Sequence, residues 1–198
     1  MNTSISPSNA SSTAPAAPAV LEVEGTRWTL DGGHSHVGFS VRHMMVGKVR
    51  GRFTGFAGEI VAAEDGSATV NATVDVTTVD TQNAQRDEHI RSADFFDAAT
   101  YPALTYRSTG LRAHGGRTYV DGELSLHGVT RPVTLELEVG GVARDPYGNL
   151  RAGFSAQTEI ERKDFGISIQ MPMDGGGVVV GEKVKITLEI EAVLQQAA

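Results

Sequence analysis

Pro132-Val133-Thr134-Leu135-Glu136-Leu137-Glu138-Val139 alternates apolar and polar residues without a slip. Lys183-Val184-Lys185-Ile186-Thr187-Leu188-Glu189-Ile190-Glu191 does the same close to the end of the chain. Strict period two marks strands with one apolar and one polar face. A sheet built from them must bury one side and wet the other. Little helix is available to cover the apolar side, so the simplest solution is a sheet curled onto itself. Function is then to be sought inside the curl.

The same reading extends over most of the sequence. Strands are expected at about 35–42, 49–61, 67–77, 103–112, 117–126, 132–143, 150–161 and 181–193, with the domain opening near Arg27-Trp28-Thr29-Leu30-Asp31. Glu64-Asp65-Gly66-Ser67, His114-Gly115-Gly116 and Asp145-Pro146-Tyr147-Gly148-Asn149 carry hairpin-loop chemistry. Gly51, Gly55 and Gly58 inside one strand predict a bulge or a barrel corner. The exception is the stretch from Thr81, a candidate N-cap, through Gln82–Arg91 and Ser92–Asp97, which reads as a short helical insert over about 82–97. Such an insert suits a lid or plug at an open barrel end. Residues 1–24, rich in Ser, Ala and Pro, are expected to be a disordered tail, and 25–198 the folded domain.

The 198 residues suit one all-β domain, and a formal charge of −7 gives no global attraction to nucleic acid or an anionic membrane. The basic cluster Lys48, Arg50 and Arg52 reads as a solvated strand face. With no cysteine, disulfides, thiol nucleophiles and cysteine-ligated zinc are excluded. The first twenty residues have neither the basic start nor the apolar run of a secretory signal, and no segment is apolar for long enough to span a membrane. The expectation is a soluble cytoplasmic protein, a processed or exported chain being the alternative.

Four apolar faces follow from parity: Val37, Phe39, Val41; Val70, Ala72, Val74, Val76; Val120, Gly122, Leu124, Leu126; and Ala152, Phe154, Ala156, Ile160, interrupted by Thr158. A barrel of about eight strands either fills with side chains or holds one ligand. The small residues on these faces favour leftover volume.

Four motifs, in order, carry a resemblance. Trp28-Thr29-Leu30-Asp31 with His34-Ser35-His36-Val37-Gly38-Phe39-Ser40-Val41-Arg42-His43 is the first. Arg86-Asp87-Glu88-His89-Ile90-Arg91-Ser92-Ala93-Asp94-Phe95-Phe96-Asp97 followed by Tyr101-Pro102 is the second. Gly122–Pro132 and Arg162-Lys163-Asp164-Phe165-Gly166 complete the set. From Trp28 to Ala192 the chain resembles the YceI-like family, the lipocalin-like polyisoprenoid-binding proteins. The resemblance implies an extended antiparallel barrel whose apolar pore holds a polyprenyl lipid or an isoprenoid quinone. It also implies a homodimer.

A greasy pore needs no catalytic motif. Each buried methylene contributes about 0.8 kcal/mol, so an isoprene unit contributes about 3–4 kcal/mol. Binding must offset about 4–15 kcal/mol of lost freedom, so a few units suffice. The candidate lining is Val37, Phe39, Val41, Phe53, Val74, Leu124, Leu126, Phe154, Phe165, Ile186 and Leu188, each of which could equally be ordinary core. Candidate head-group donors are Arg42, His43, Arg86 and His89, the last two sharing a face of the short helix. For Arg86 the competing reading is a loop-stabilising salt bridge with Asp87.

No metal or cofactor is expected. His34 and His36 could share a strand face, but a third ligand is not evident and parity sends His43 to the other side. No catalytic residue is assigned: the serines lie outside any Gly-x-Ser-x-Gly elbow, Asp94 and Asp97 read as caps, and Gly175-Gly176-Gly177 precedes no helix. Met171, Pro172 and Met173 are read as the base of that glycine loop. Non-enzymatic carriage or storage of the isoprenoid is the leading function. The alternatives are a hydrolase or isomerase using His36 or His89, and a stress-related interaction module with a packed core.

Overall fold

The computed structural model describes residues 26–63, 67–172 and 178–195. The expected tail, the turn residues Glu64–Gly66, Met173 and the triglycine loop lie outside them.

Among the described residues, alternation along the chain produces eleven strands in one sheet: β1 (Arg27–Leu30), β2 (His36–His43), β3 (Gly47–Phe53), β4 (Phe56–Ala62), β5 (Ala68–Asp75), β6 (Val79–Asp80), β7 (Ala103–His114), β8 (Arg117–Leu126), β9 (Val129–Arg144), β10 (Leu150–Glu161) and β11 (Val180–Leu194). All pairings are antiparallel. Eight strands close a ring in the order β1, β4, β5, β7, β8, β9, β10, β11 and back to β1. This is the antiparallel barrel that the period-two runs predict, with eight strands in its closed ring.

The closing strand, β11, is 15 residues long and does double service. Its end, Ala192–Leu194, pairs with β1, whereas Val180–Glu189 pairs with β2. β3 and then β6 continue outward from β2. Three chain segments therefore bend and split between the closed ring and this flap: β1 into β2, β3 into β4, and β5 into β6.

The expected strand 49–61 is two strands. The corner sits at Thr54-Gly55, where the chain passes the 3-10 turn Val76–Thr78 that joins β5 to β6. Gly55 N–H donates to Thr78 Oγ1 at 2.9 Å, and Gly55 C=O accepts from Asp75 N–H at 2.8 Å. A Cβ on Gly55 would lie 2.7 Å from a Thr78 methyl, so the close approach requires glycine. Gly51 and Gly58 lie in the flanking strands, whose registers run without a shift.

The insert forms one helix, α1 (Ala84–Arg91). Its N-cap is Asn83, whose side chain accepts from Arg86 N–H at 3.0 Å, and not Thr81. Thr81 is buried, and its backbone N–H and hydroxyl both donate to the buried Asp87 carboxylate. Thr81 thus holds the strand-to-helix joint one step before the cap. Phe96, in the turns after α1, packs its ring 5.9 Å from Phe53.

The tightest packing lies where the ring closes. Trp28, fully buried, packs with Ile60, Ala152, Phe154 and Ala192.

Candidate functional site: an apolar tunnel with a polar mouth

The inside of the barrel is hollow. An inner chamber of about 190 Å³ is bounded by apolar side chains of every strand but β6, with Tyr106 and Thr158 as the polar exceptions. An outer chamber of about 360 Å³ lies toward α1 and the β2–β3 hairpin. The two meet at Phe39, Phe53, Leu104 and Ile186, which line both. Together they fall within the range of ligand pockets, about 300–1,000 Å³.

Parity explains the wall. Val37 and Phe39 alternate with the outward residues of β2, as Val70, Ala72 and Val74 do on β5. Tyr106 hides its polarity by donating its hydroxyl to Val120 C=O at 3.0 Å. Burial, aided by nearby Asp121, pushes its phenol up to about 12, so it stays neutral.

Of the eleven residues expected on the wall, Val37, Val74, Leu124, Phe154 and Leu188 face the inner chamber. Val41 and Leu126 face the outer one, and Phe39, Phe53 and Ile186 face both. Phe165 faces neither. It sits in the 3-10 turn Arg162–Phe165, where strand parity does not aim side chains, and packs with Leu126 and Ile167 in the core. Its carbonyl oxygen lies 3.1 Å from His127 Nδ1, tying the late loop to the β8–β9 turn.

The four expected head-group donors, Arg42, His43, Arg86 and His89, all line the outer chamber. They are not equally free. Arg86 does not pair with Asp87; its Nε donates to Thr81 Oγ1 at 2.7 Å and its Nη2 to Thr81 C=O at 2.8 Å. His89 Nε2 lies 3.0 Å from Asp94 Oδ2, and its ring meets Phe95 edge to face. Among the described residues the side chains of Arg42 and His43 make no hydrogen bond or ion pair.

A fifth basic residue was missed by reading the sequence. Arg162, 5 % exposed, also lines the outer chamber. Nε donates to Gly181 C=O at 3.0 Å and Nη1 to Ile167 C=O at 2.8 Å, with no carboxylate in ion-pair contact among the described residues. Desolvation holds its pKa below the ordinary arginine value, the direction expected of a buried charge that lacks a full counter-ion. Its signal was its place at the head of the late-loop motif. Met171, expected at the base of the glycine loop, lines the same chamber.

The two histidines weighed for a metal do not share a strand. His34 lies in the turn before β2, its Nδ1 2.9 Å from Asp31 Oδ2. Asp31, His34 and Glu191 cluster, but Arg151 already occupies the space between the carboxylates. Its Nη1 donates to Asp31 at 2.6 Å and to Glu191, and its Nε to Asp145 at 2.9 Å. His36 is exposed on the outer face and lines neither chamber, so it does not join His89 in one site.

A model of the YceI-like domain matches residues 28–192. The chain is 38% identical over 168 residues to protein YceI of Escherichia coli O157:H7, covering 84% of this chain and 85% of that one. BcnA of Burkholderia cenocepacia shares the fold at a TM-score of 0.68 and 22% identity, covering 82% of this chain and 98% of that one. A polyisoprenoid binding domain of Saccharophagus degradans, implicated in plant cell wall breakdown, does so at a TM-score of 0.63 and 18% identity, over 85% and 98% of the two chains. With the motif order, the hollow barrel and a match across nearly all of the described residues, the chain belongs to the YceI-like family.

Proposed function

We propose that this chain binds an isoprenoid lipid, a polyprenyl lipid or an isoprenoid quinone, and carries or stores it without chemical change. The observation that carries the reading is the segregation inside the barrel. The inner chamber offers almost nothing but hydrocarbon, and every charged lining group belongs to the outer chamber. A molecule that matches this is a long apolar chain with a polar end. Three or four buried isoprene units contribute about 9–16 kcal/mol, against an association cost of about 4–15 kcal/mol. Arg42 and His43, which make no side-chain hydrogen bond or ion pair among the described residues, are the groups best able to meet a phosphate or carbonyl oxygen, and Arg162 adds positive potential behind them. The description of the Saccharophagus degradans neighbour as a polyisoprenoid binding domain agrees with this reading.

Native mass spectrometry of the full chain purified from cells tests it, followed by solvent extraction and lipid analysis. The expected result is a bound mass that extraction removes and that fragments as a prenyl chain. Repeated preparations carrying no apolar molecule, together with no uptake of added polyprenyl phosphate or quinone, would overturn it.

A further inference from the structure

The β2–β3 hairpin ends in three consecutive exposed apolar residues: Met44, 42% exposed, Met45, 62%, and Val46, 86%. Val46 N–H donates to His43 C=O at 3.2 Å, with Met44 and Met45 at φ 50° and 59°. Both central residues of this turn are left-handed, a geometry that ordinarily selects Asn-Gly. Here two methionines occupy it and point into solvent. Directly behind the tip, Arg42 and Lys48 are cross-strand partners, and Arg50 follows on the same exposed face. Between Phe39 and Phe53 there is no acidic residue, in a chain whose net charge is −7. Among the described residues neither Lys48 nor Arg50 has an ion-pair partner.

We propose that this hairpin docks the barrel on an anionic phospholipid surface, its apolar tip in the headgroup layer and Lys48 and Arg50 against the phosphates. An apolar tip backed by exposed lysine and arginine matches the boundary between acyl chains and anionic headgroups. Nucleic acid would use the cations but not the methionines. The tip is also fixed at the tunnel rim. Met44 N–H donates to Val179 C=O at 2.9 Å, and Arg42, His43 and Val179 line the outer chamber. Docking would therefore hold the mouth to the bilayer from which an isoprenoid could enter. That last consequence rests on the proposed cargo; the docking itself does not.

Flotation of the full chain with vesicles is the test, using phosphatidylcholine alone or mixed equally with phosphatidylglycerol. Binding is expected only to the mixed vesicles. It should fall with salt as the screening length shrinks from about 10 Å at 0.1 M to about 3 Å at 1 M. The pair Lys48→Gln and Arg50→Gln should weaken it about 30-fold, from roughly a factor of five per charge. Met45→Ser with Val46→Ser should weaken it by about tenfold or more. None of these side chains lines the tunnel, so native mass spectrometry should find cargo retained in the non-floating variants. Failure of the unaltered chain to float, or variants that float equally, would overturn the proposal. So would a serine pair that abolishes only self-association in sedimentation equilibrium, since a second copy would then cover the tip. An empty tunnel in a chain that still floats would count against the proposed cargo and leave docking standing.

Discussion

Replacing Ala72 with leucine distinguishes a hollow barrel from a solid one. Ala72 lies on β5 between Gly58 of β4 and Tyr106 of β7, on the wall of the inner chamber. Leucine adds three carbons, worth about 2–2.5 kcal/mol if they are withdrawn from water into free space. Fixing the longer side chain costs about 0.5–1 kcal/mol. With about 190 Å³ available, the lipid-free protein should gain about 1–2 kcal/mol. For a domain of this size that is a rise in Tm of about 2–8 °C. The same three carbons are denied to the cargo, whose affinity should fall by about 30- to 70-fold. Stability and binding thus move in opposite directions. Calorimetry on solvent-extracted protein reads the first and titration with a polyprenyl ligand the second. A loss of about 1–3 kcal/mol, the usual cost of overpacking, would show that the interior is already filled. A raised Tm with unchanged affinity would place the cargo outside the chamber.

Gly122→Ala should destabilise by about 2–4 kcal/mol, from overpacking and loss of a tyrosine hydrogen bond. Its Cβ would lie 2.5 Å from the Tyr106 ring and 2.7 Å from Arg107 C=O, and adding Tyr106→Leu should recover part of the loss in a melting experiment. Arg86→Met should cost about 2–4 kcal/mol in denaturant unfolding, because two charged donors hold Thr81, and it should do so whether or not cargo is bound. Acid should unfold the protein partly through Asp31 and Asp145. Arg151 holds Asp31 well below the usual carboxylate range; Asn149 and then Arg151 do so for Asp145. A depressed folded pKa contributes stability that is full above the unfolded value, about 3.9, and is lost as pH falls below it. Tm should therefore hold from neutrality to about pH 4–5 and then drop, and Arg151→Met should flatten that drop. An Arg151→Met profile parallel to the unaltered one would refute the assignment.

The barrel was legible because period two is a local signal that survives any packing. β8 and β10 begin and end where the alternation does, and ten of the eleven expected wall residues face a chamber. What failed were positions whose direction is set by something other than a strand. Phe165 lies in a 3-10 turn, and Thr81 was one joint short of the cap that Asn83 provides. Arg162 escaped notice because its partners are the carbonyls of Ile167 and Gly181, and backbone acceptors leave no mark in the residue types. The Asp31–Arg151–Asp145 network was likewise invisible, since Asp31 and Arg151 are 120 residues apart in sequence. The corner at Thr54-Gly55 was signalled by glycine, but only the neighbouring 3-10 turn decides which of three glycines bends.

A hollow interior has a stability consequence that shapes the rest of the molecule. An empty chamber of about 190 Å³ forgoes about 4–5 kcal/mol at roughly 24 cal/mol per Å³, a large share of a domain's net stability. The fold offsets this away from the tunnel's polar end. Trp28, Ala152 and Ala192 are all but fully buried where β1 closes the ring on β11, and the Arg151 network lies over the same junction. The flap of β2, β3 and β6, which the closed ring does not include, lines one side of the outer chamber and brings Arg42 and His43 to it. Solid packing at the seam lets the other end stay open, and a bound chain that fills the space would return what the empty barrel lacks. Cargo should therefore raise Tm most in the unaltered protein and less in Ala72→Leu, where part of the cavity is already occupied.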